Sequence, residues 1–186
     1  MLHNYYISYD NIELRPLEYG DIENLRVWRN DKEQTKYLRK IDYITPEMQN
    51  TWFESYKTDE NIITFSIYEN NKLNRMVGSV SLYDFKENVA EIGKIQVGDK
   101  EAQGKGIGRT AFVMLLKLAF EKFGLEKVIA TVNVNNIPAR KSYFKIGFKV
   151  IGQKYIDTVG DEDVIEINKD VLISNNEIYN DIEIRC

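Results

Sequence analysis

Apolar and charged residues alternate over Ile12-Glu13-Leu14-Arg15, the period-two pattern of a half-buried strand, and Pro16 closes it. Asp21 stands where an N-cap belongs, ahead of a helix with Ile22, Leu25 and Trp28 on one face. Thr45 before Pro46 repeats that start signal, and Met48, Trp52, Phe53 and Tyr56 make the apolar side of a second helix. Three strand-like runs follow at 62–68, 76–83 and 89–97, joined by short polar connectors that predict an antiparallel meander. The strongest helical pattern covers 109–123, where Phe112, Leu115, Leu116, Ala119 and Phe123 share a face and Gly124 is placed to end it. Residues 128–132 form a continuous apolar run, the mark of a buried strand. A short helix over 138–146 stops at Gly147, and the runs 148–152, 154–159 and 164–171 supply final strands. The pattern predicts one mixed α/β (α+β) domain over 1–186 with its core in 12–171, while 173–186 carry no clear signal.

Between the meander and the long helix lies Gln103-Gly104-Lys105-Gly106-Ile107-Gly108-Arg109. Glycines in alternate positions let the backbone turn with its N–H groups pointing into open space. The following helix adds free N–H groups and a positive dipole end, so the stretch reads as a cradle for an anion such as a diphosphate, with Lys105 and Arg109 adding charge. Neither common nucleotide loop fits. The triphosphate loop needs Lys-Ser or Lys-Thr after its last glycine, and here Lys105 is followed by Gly106; the dinucleotide fingerprint, counted from Gly104, ends on Arg109 instead of glycine.

A length of 186 residues suits one domain with a real core. The only cysteine is Cys186, at the last position, which excludes an internal disulfide and a thiol nucleophile in a core site. The only histidine, His3, is expected in a loose terminus. Acid–base work then falls to carboxylates, tyrosines, lysines or water. A formal charge of −4 argues against broad nucleic-acid binding. No apolar run is long enough for a membrane span and Met1-Leu2-His3-Asn4 does not open a signal peptide, so the expected location is the cytoplasm.

The form Gln-x-x-Gly-x-Gly between a strand and a helix, together with Ala90-Glu91-Ile92-Gly93, Thr131-Val132-Asn133-Val134-Asn135-Asn136 and Tyr143-Phe144-Lys145-Ile146-Gly147-Phe148, resembles the core motifs of the GCN5-related N-acetyltransferase (GNAT) family. The opening Leu14-Arg15-Pro16-Leu17 with Asp21 is similar to the branch typified by ribosomal-protein N-acetyltransferases. The resemblance implies a single mixed, mostly antiparallel sheet of about six to seven strands flanked by helices, with its fourth and fifth strands splayed. It implies acetyl-CoA as cosubstrate, no metal, and a small-molecule or peptide amine as acceptor. Ile95 and Val97 would border the splayed gap, pairing with the pantetheine arm as an added strand would. Gln103, Gly104, Lys105, Gly106, Ile107, Gly108 and Arg109 would hold the pyrophosphate, and Asn136 the pantetheine. Between Glu91 and Gln103 the chain is about two residues longer than is usual in that branch.

Acyl transfer to an amine needs a proton removed from an ammonium, an oxyanion stabilised and a thiolate protonated. Glu91 is the expected base, directly or through water, and Tyr143, seven residues after Asn136 as in the family, the expected acid. Each has a plainer alternative: Tyr143 as a packed aromatic, Glu91 as a solvated strand residue or substrate anchor, Lys105 and Arg109 as surface charges. Trp28, Arg29, Asn30 and Trp52 are expected to line the acceptor pocket, although tryptophans on helix faces more often belong to a core. The Trp-Arg-Asn motif resembles that of GNAT enzymes acting on nucleotide-linked amino sugars, which directs the expectation there; peptide N-termini, polyamines and aminoglycosides stay open. A non-catalytic acyl-CoA sensor is the alternative from another class, and a homodimer is left open.

Overall fold

A computed structural model describes residues 2–186; Met1, counted in the single-domain expectation, lies outside them. The strands are β1 (Tyr6–Tyr9), β2 (Ile12–Pro16), β3 (Ile62–Glu69), β4 (Arg75–Lys86), β5 (Val89–Val97), β6 (Lys127–Asn133), β7 (Lys149–Ile156), β8 (Gly160–Asn168) and β9 (Glu183–Arg185). The helices are α1 (Ile22–Asn30), α2 (Pro46–Thr58), α3 (Ile107–Glu121), α4 (Ile137–Ile146) and α5 (Lys169–Asn175). One nine-stranded sheet runs β7-β8-β6-β5-β4-β3-β2-β1-β9, antiparallel throughout except for the β5–β6 pair.

Residues that alternate along a strand point to opposite faces, and the two faces are used differently. Ile63, Phe65, Leu82 and Ile92 face α3, whose residues from Ala111 to Phe120 are all buried. Ile62 and Tyr83 face the other way, onto a smaller cluster with Leu17, Ile22, Leu25, Phe53 and Tyr56 from α1 and α2. Long helix and sheet make the main core; α1 and α2 cover the opposite face.

Several expectations are corrected. β1 was hidden because Tyr6–Tyr9 has only one fully buried residue, Ile7, and its partners lie far apart in sequence: β2 on one side and β9 on the other. Asp21 does precede α1, but its carboxylate does not cap it. Instead it is buried, accepting from Ser66 Oγ at 2.6 Å, Tyr68 Oη at 3.0 Å and the Glu18 N–H at 3.1 Å. In α2, Thr45 caps as expected, yet Met48 and Trp52 are 52% and 39% exposed, and the buried side is Gln49, Phe53 and Tyr56. Two strands, β7 and β8, take the place of the three expected runs: the break expected near Gly152 is a β-bulge inside β7, and β8 ends at Asn168, so that Val171 lies inside α5. The tail beyond 173 is ordered against the sheet edge, where β9 pairs with β1.

Candidate active site

β5 and β6 are paired at only three registers, Val89↔Lys127, Ala90↔Val128 and Glu91↔Ile129. Beyond Glu91 they part, β5 staying with β4 as far as Gly78↔Val97 and β6 staying with β8 as far as Asn133↔Glu162. The result is a fork with an open gap, the splay expected for these two strands. They are the fifth and sixth in the chain because β1 precedes them.

Glu91 sits where the fork opens. Its Oε1 accepts from Tyr83 Oη at 2.7 Å and from Thr131 Oγ1 at 3.4 Å, tying together three neighbouring strands. Burial, and next the hydrogen bond to the Glu91 carboxylate, push the Tyr83 phenol above its ordinary range, so it stays protonated and donating. Tyr143 belongs to the α3 side. It is buried, stacked on Phe112 at 4.8 Å between ring centroids and tilted against Phe148, and burial raises its phenol too. Among the described residues no hydrogen bond reaches the Tyr143 hydroxyl. Tyr143 packs in the core on the α3 side of the sheet and Tyr83 against the smaller cluster on the other side, so the two phenols belong to opposite faces.

The strand register is irregular after Glu91. Between Ser81↔Gly93 and Ser79↔Gln96, Val80 on β4 faces both Lys94 and Ile95, a β-bulge with Lys94 at φ 48°. The bulge takes up one residue and leaves the backbone of Lys94 and Ile95 without a register partner on β4. Lys94 is exposed, its Nζ lying 4.5 Å from the centre of the Tyr83 ring.

The glycine stretch forms the turn before α3. Gly104 and Gly106 adopt φ of 74° and 81°, a region that side-chain-bearing residues avoid, and a Cβ on either would meet nothing within 4 Å. Gly106 is the N-cap of α3, so the first N–H groups of that helix open onto this space. Gly108 lies against Val97 and Ile95, which brings the cradle to the end of β5. These features fit a pyrophosphate and its pantetheine arm. The Gln103 side chain is engaged within the protein: its Nε2 donates to the Val97 carbonyl at 2.9 Å and to Gln34 Oε1 at 3.3 Å. The Val97 carbonyl is thus engaged by the Gln103 amide. Asn136 caps α4 through its side-chain oxygen, which accepts from the Ala139 N–H at 3.3 Å.

The four residues expected around the acceptor each have contacts of their own within the protein. Trp28 lies flat on Gly98, where an added Cβ would stand 1.9 Å from the indole, and its carbonyl accepts from Gln96 Nε2 at 3.0 Å. Asn30 exchanges two 2.9 Å hydrogen bonds with the backbone of Ile44, closing the segment between α1 and α2. Trp52 stacks on Tyr56 at 5.6 Å, out on α2. In Arg29, Nη2 donates to the Arg39 carbonyl at 2.9 Å, while Nη1 is buried without a partner. Burial lowers the basicity of that guanidinium, and no ion pair among the described residues includes it. Tyr83, Thr131 and Lys94 were missed from sequence because their roles depend on cross-strand register. Among the described residues no cluster of His, Cys, Asp and Glu could hold a metal, and no helix is long and apolar enough to cross a membrane.

The acetyltransferase (GNAT) domain family matches residues 11–149. The chain belongs to the GNAT family. It is similar to the N-acetyltransferase 9-like protein of Caenorhabditis elegans, 30% identical over 142 residues that cover 69% of this chain and 67% of that one. The probable N-acetyltransferase YjcK of Bacillus subtilis (strain 168) is 30% identical over 146 residues, covering 74% and 80%. In fold it resembles the spermidine N-acetyltransferase of Vibrio cholerae solved with CoA and spermine, with a TM-score of 0.79 at 22% identity over 88% of this chain and 98% of that one. This GNAT protein is thus an N-acetyltransferase, and acetyl-CoA is its cosubstrate.

Proposed function

We propose that this GNAT enzyme transfers the acetyl group directly to a primary amine of a small molecule, at the fork between β5 and β6. The observation that carries this reading is the 2.7 Å hydrogen bond from Tyr83 to Glu91 at the last paired register of the fork. Both hydrogen bonds to Glu91 fall on Oε1, which leaves Oε2 to take the acceptor's proton, directly or through water. Acetyl-CoA supplies the thioester. A backbone N–H of the Lys94–Ile95 bulge serves the oxyanion, and the protonated Tyr143 hydroxyl serves the departing thiolate. Orientation of amine and thioester contributes most, proton handling second.

The acceptor we favour carries an anionic group beside its amine, as a nucleotide-linked amino sugar does. Support comes from Nη1 of Arg29, a buried donor without a partner on a half-buried guanidinium that has no carboxylate beside it among the described residues, which an anionic group of the acceptor would satisfy. Trp28 and Asn30 add nothing to that case, being occupied by packing and loop closure. A polyamine is the second reading. It is favoured by the carboxylates of Asp84, Asp59 and Glu91, whose fields act on the Lys94 ammonium, and by the named activity of the Vibrio cholerae protein. A homodimer would use the outer edge of β7, where Val150, Ile151 and Tyr155 stand exposed on a strand with no further neighbour.

CoA release from acetyl-CoA tests the reading against nucleotide-linked and free amino sugars, spermidine, aminoglycosides and short peptides, with wild type and Arg29→Ala. Turnover of a nucleotide-linked sugar that Arg29→Ala weakens through KM supports it. Turnover confined to spermidine and indifferent to Arg29 replaces it with the polyamine reading. Binding of acetyl-CoA without any turnover favours a sensor.

A further inference from the structure

Lys94 carries a primary amine on the acceptor side of the fork. Its side chain leaves the β5 bulge, rises over the exposed face of Tyr83 and brings Nζ to 4.5 Å from the ring centre. The hydroxyl of that ring is the one bonded to Glu91 and lies close over Gly93, where an added Cβ would come within 2.9 Å of it. The charged groups that act on the Lys94 ammonium are Asp84 on β4, Asp59 at the end of α2 and Glu91 itself. No ion pair among the described residues includes it. An exposed alkylammonium on an aromatic face, beside the base, has the chemistry an external amine would have to present there.

We infer that Lys94 is an internal acceptor: in the absence of a competing amine, this enzyme acetylates its own Lys94. The inference rests on the acetyltransferase activity and on Glu91 as base, not on the identity of the external acceptor. The ammonium gives one proton to Glu91. Nζ then attacks the thioester carbonyl, an amide C–N bond forms, the C–S bond breaks, and the second amine proton passes by way of the Tyr143 hydroxyl or water to the departing CoA thiolate, which leaves as the thiol and restores the relay. Although the side chain is exposed, partial desolvation of its ammonium lowers it below the usual lysine range, which favours the first of these steps. The product is a neutral amide over Tyr83, which removes a positive charge from the path to Glu91.

The full chain, incubated with acetyl-CoA and no acceptor, is digested and its lysines are quantified by mass spectrometry. Lys94 is expected to gain one acetyl group at a rate that saturates with acetyl-CoA and exceeds that of exposed lysines such as Lys72 by about tenfold or more. Glu91→Gln slows that labelling without changing the labelling of Lys72, an external acceptor amine suppresses it, and Lys94→Arg abolishes it at this site. The inference is overturned if Lys94 reacts no faster than Lys72, or equally fast in Glu91→Gln, while a thermal shift shows acetyl-CoA bound. A chain that binds no acetyl-CoA overturns both this inference and the proposed reaction.

Discussion

The Tyr83 hydroxyl donates to Glu91 Oε1 at 2.7 Å, and the two residues face each other at the register Tyr83↔Glu91, where β5 is about to leave β6. A carboxylate at the mouth of the gap is thereby held by the strand that stays paired. Glu91→Gln keeps the shape and loses the base, so kcat should fall about a hundredfold with acetyl-CoA affinity unchanged. Tyr83→Phe removes only the orienting donor, and loss of a hydrogen bond to a charge, about 1.5 kcal/mol, predicts about a tenfold fall. Steady-state kinetics with isothermal titration of acetyl-CoA check both. Equal kcat in Glu91→Gln and wild type would remove Glu91 from the mechanism.

Gly98 is fixed by Trp28. An alanine Cβ there would stand 1.9 Å from one indole carbon and 2.2 Å from another, both part of a rigid ring that must move as a whole. Gly98→Ala should cost about 1–3 kcal/mol by overpacking. It should also raise the Km for the acceptor, because Trp28 anchors the end of α1 on β5 through its carbonyl and Gln96. Pairing it with Trp28→Ala should recover part of the stability in urea unfolding. A strictly additive double variant would show that the ring and the glycine do not communicate.

These two cases show where sequence stopped being enough. Local signals located most elements: Thr45-Pro46 starts α2 and Gly147 closes α4 in the left-handed region at φ 119°, while α3, expected over 109–123, runs over Ile107–Glu121. The glycine cradle was readable because its chemistry lies in adjacent residues. The fork was not readable in detail, since the Tyr83↔Glu91 register and the Lys94 bulge depend on how β4 lies beside β5 across two irregularities. Trp28 and Asn30 were drawn toward a substrate role by a motif, whereas a glycine and an isoleucine backbone, both distant in sequence, had already engaged them. Lys117 was invisible for the same reason. It interrupts an apolar run on α3 and its partners lie in the tail.

Lys117 is buried, and its Nζ donates to the carbonyls of Tyr179 at 2.8 Å and Ile182 at 2.9 Å while lying 4.8 Å from the Tyr179 ring centre. The tail is thus latched to α3 just before it forms β9 at the sheet edge. Lys117→Met preserves volume but deprives two carbonyls of their donor, which should cost about 2 kcal/mol. The loss should appear first as proteolytic nicking within 176–186, ahead of global unfolding. A variant whose tail resists protease as well as wild type does would show that the latch contributes little.

His3 gives the clearest pH signature. Far from loose, its ring packs on Phe65 at 4.3 Å between centroids; its Nε2 donates to the Thr64 carbonyl at 3.1 Å and its Nδ1 accepts from the Tyr5 N–H at 3.3 Å. Both nitrogens are satisfied only by the neutral ring, and burial lowers the pKa from 6.5 to about 4. Because the folded value lies below the unfolded one, the unfolded chain binds the extra proton first as pH falls. The contribution is therefore complete above pH 6.5 and is lost progressively down to about pH 4. It amounts to about 3 kcal/mol by linkage over that interval. Carboxylates held low by their partners, such as Asp99 beside Arg75, add their own loss at lower pH, so the comparison must be with a variant that lacks the imidazole. His3→Gln should be less stable than wild type at pH 7.5, with the gap narrowing by about 3 kcal/mol toward pH 4 in urea titrations. A gap that stays constant with pH would show that the ring titrates alike in the folded and unfolded chains.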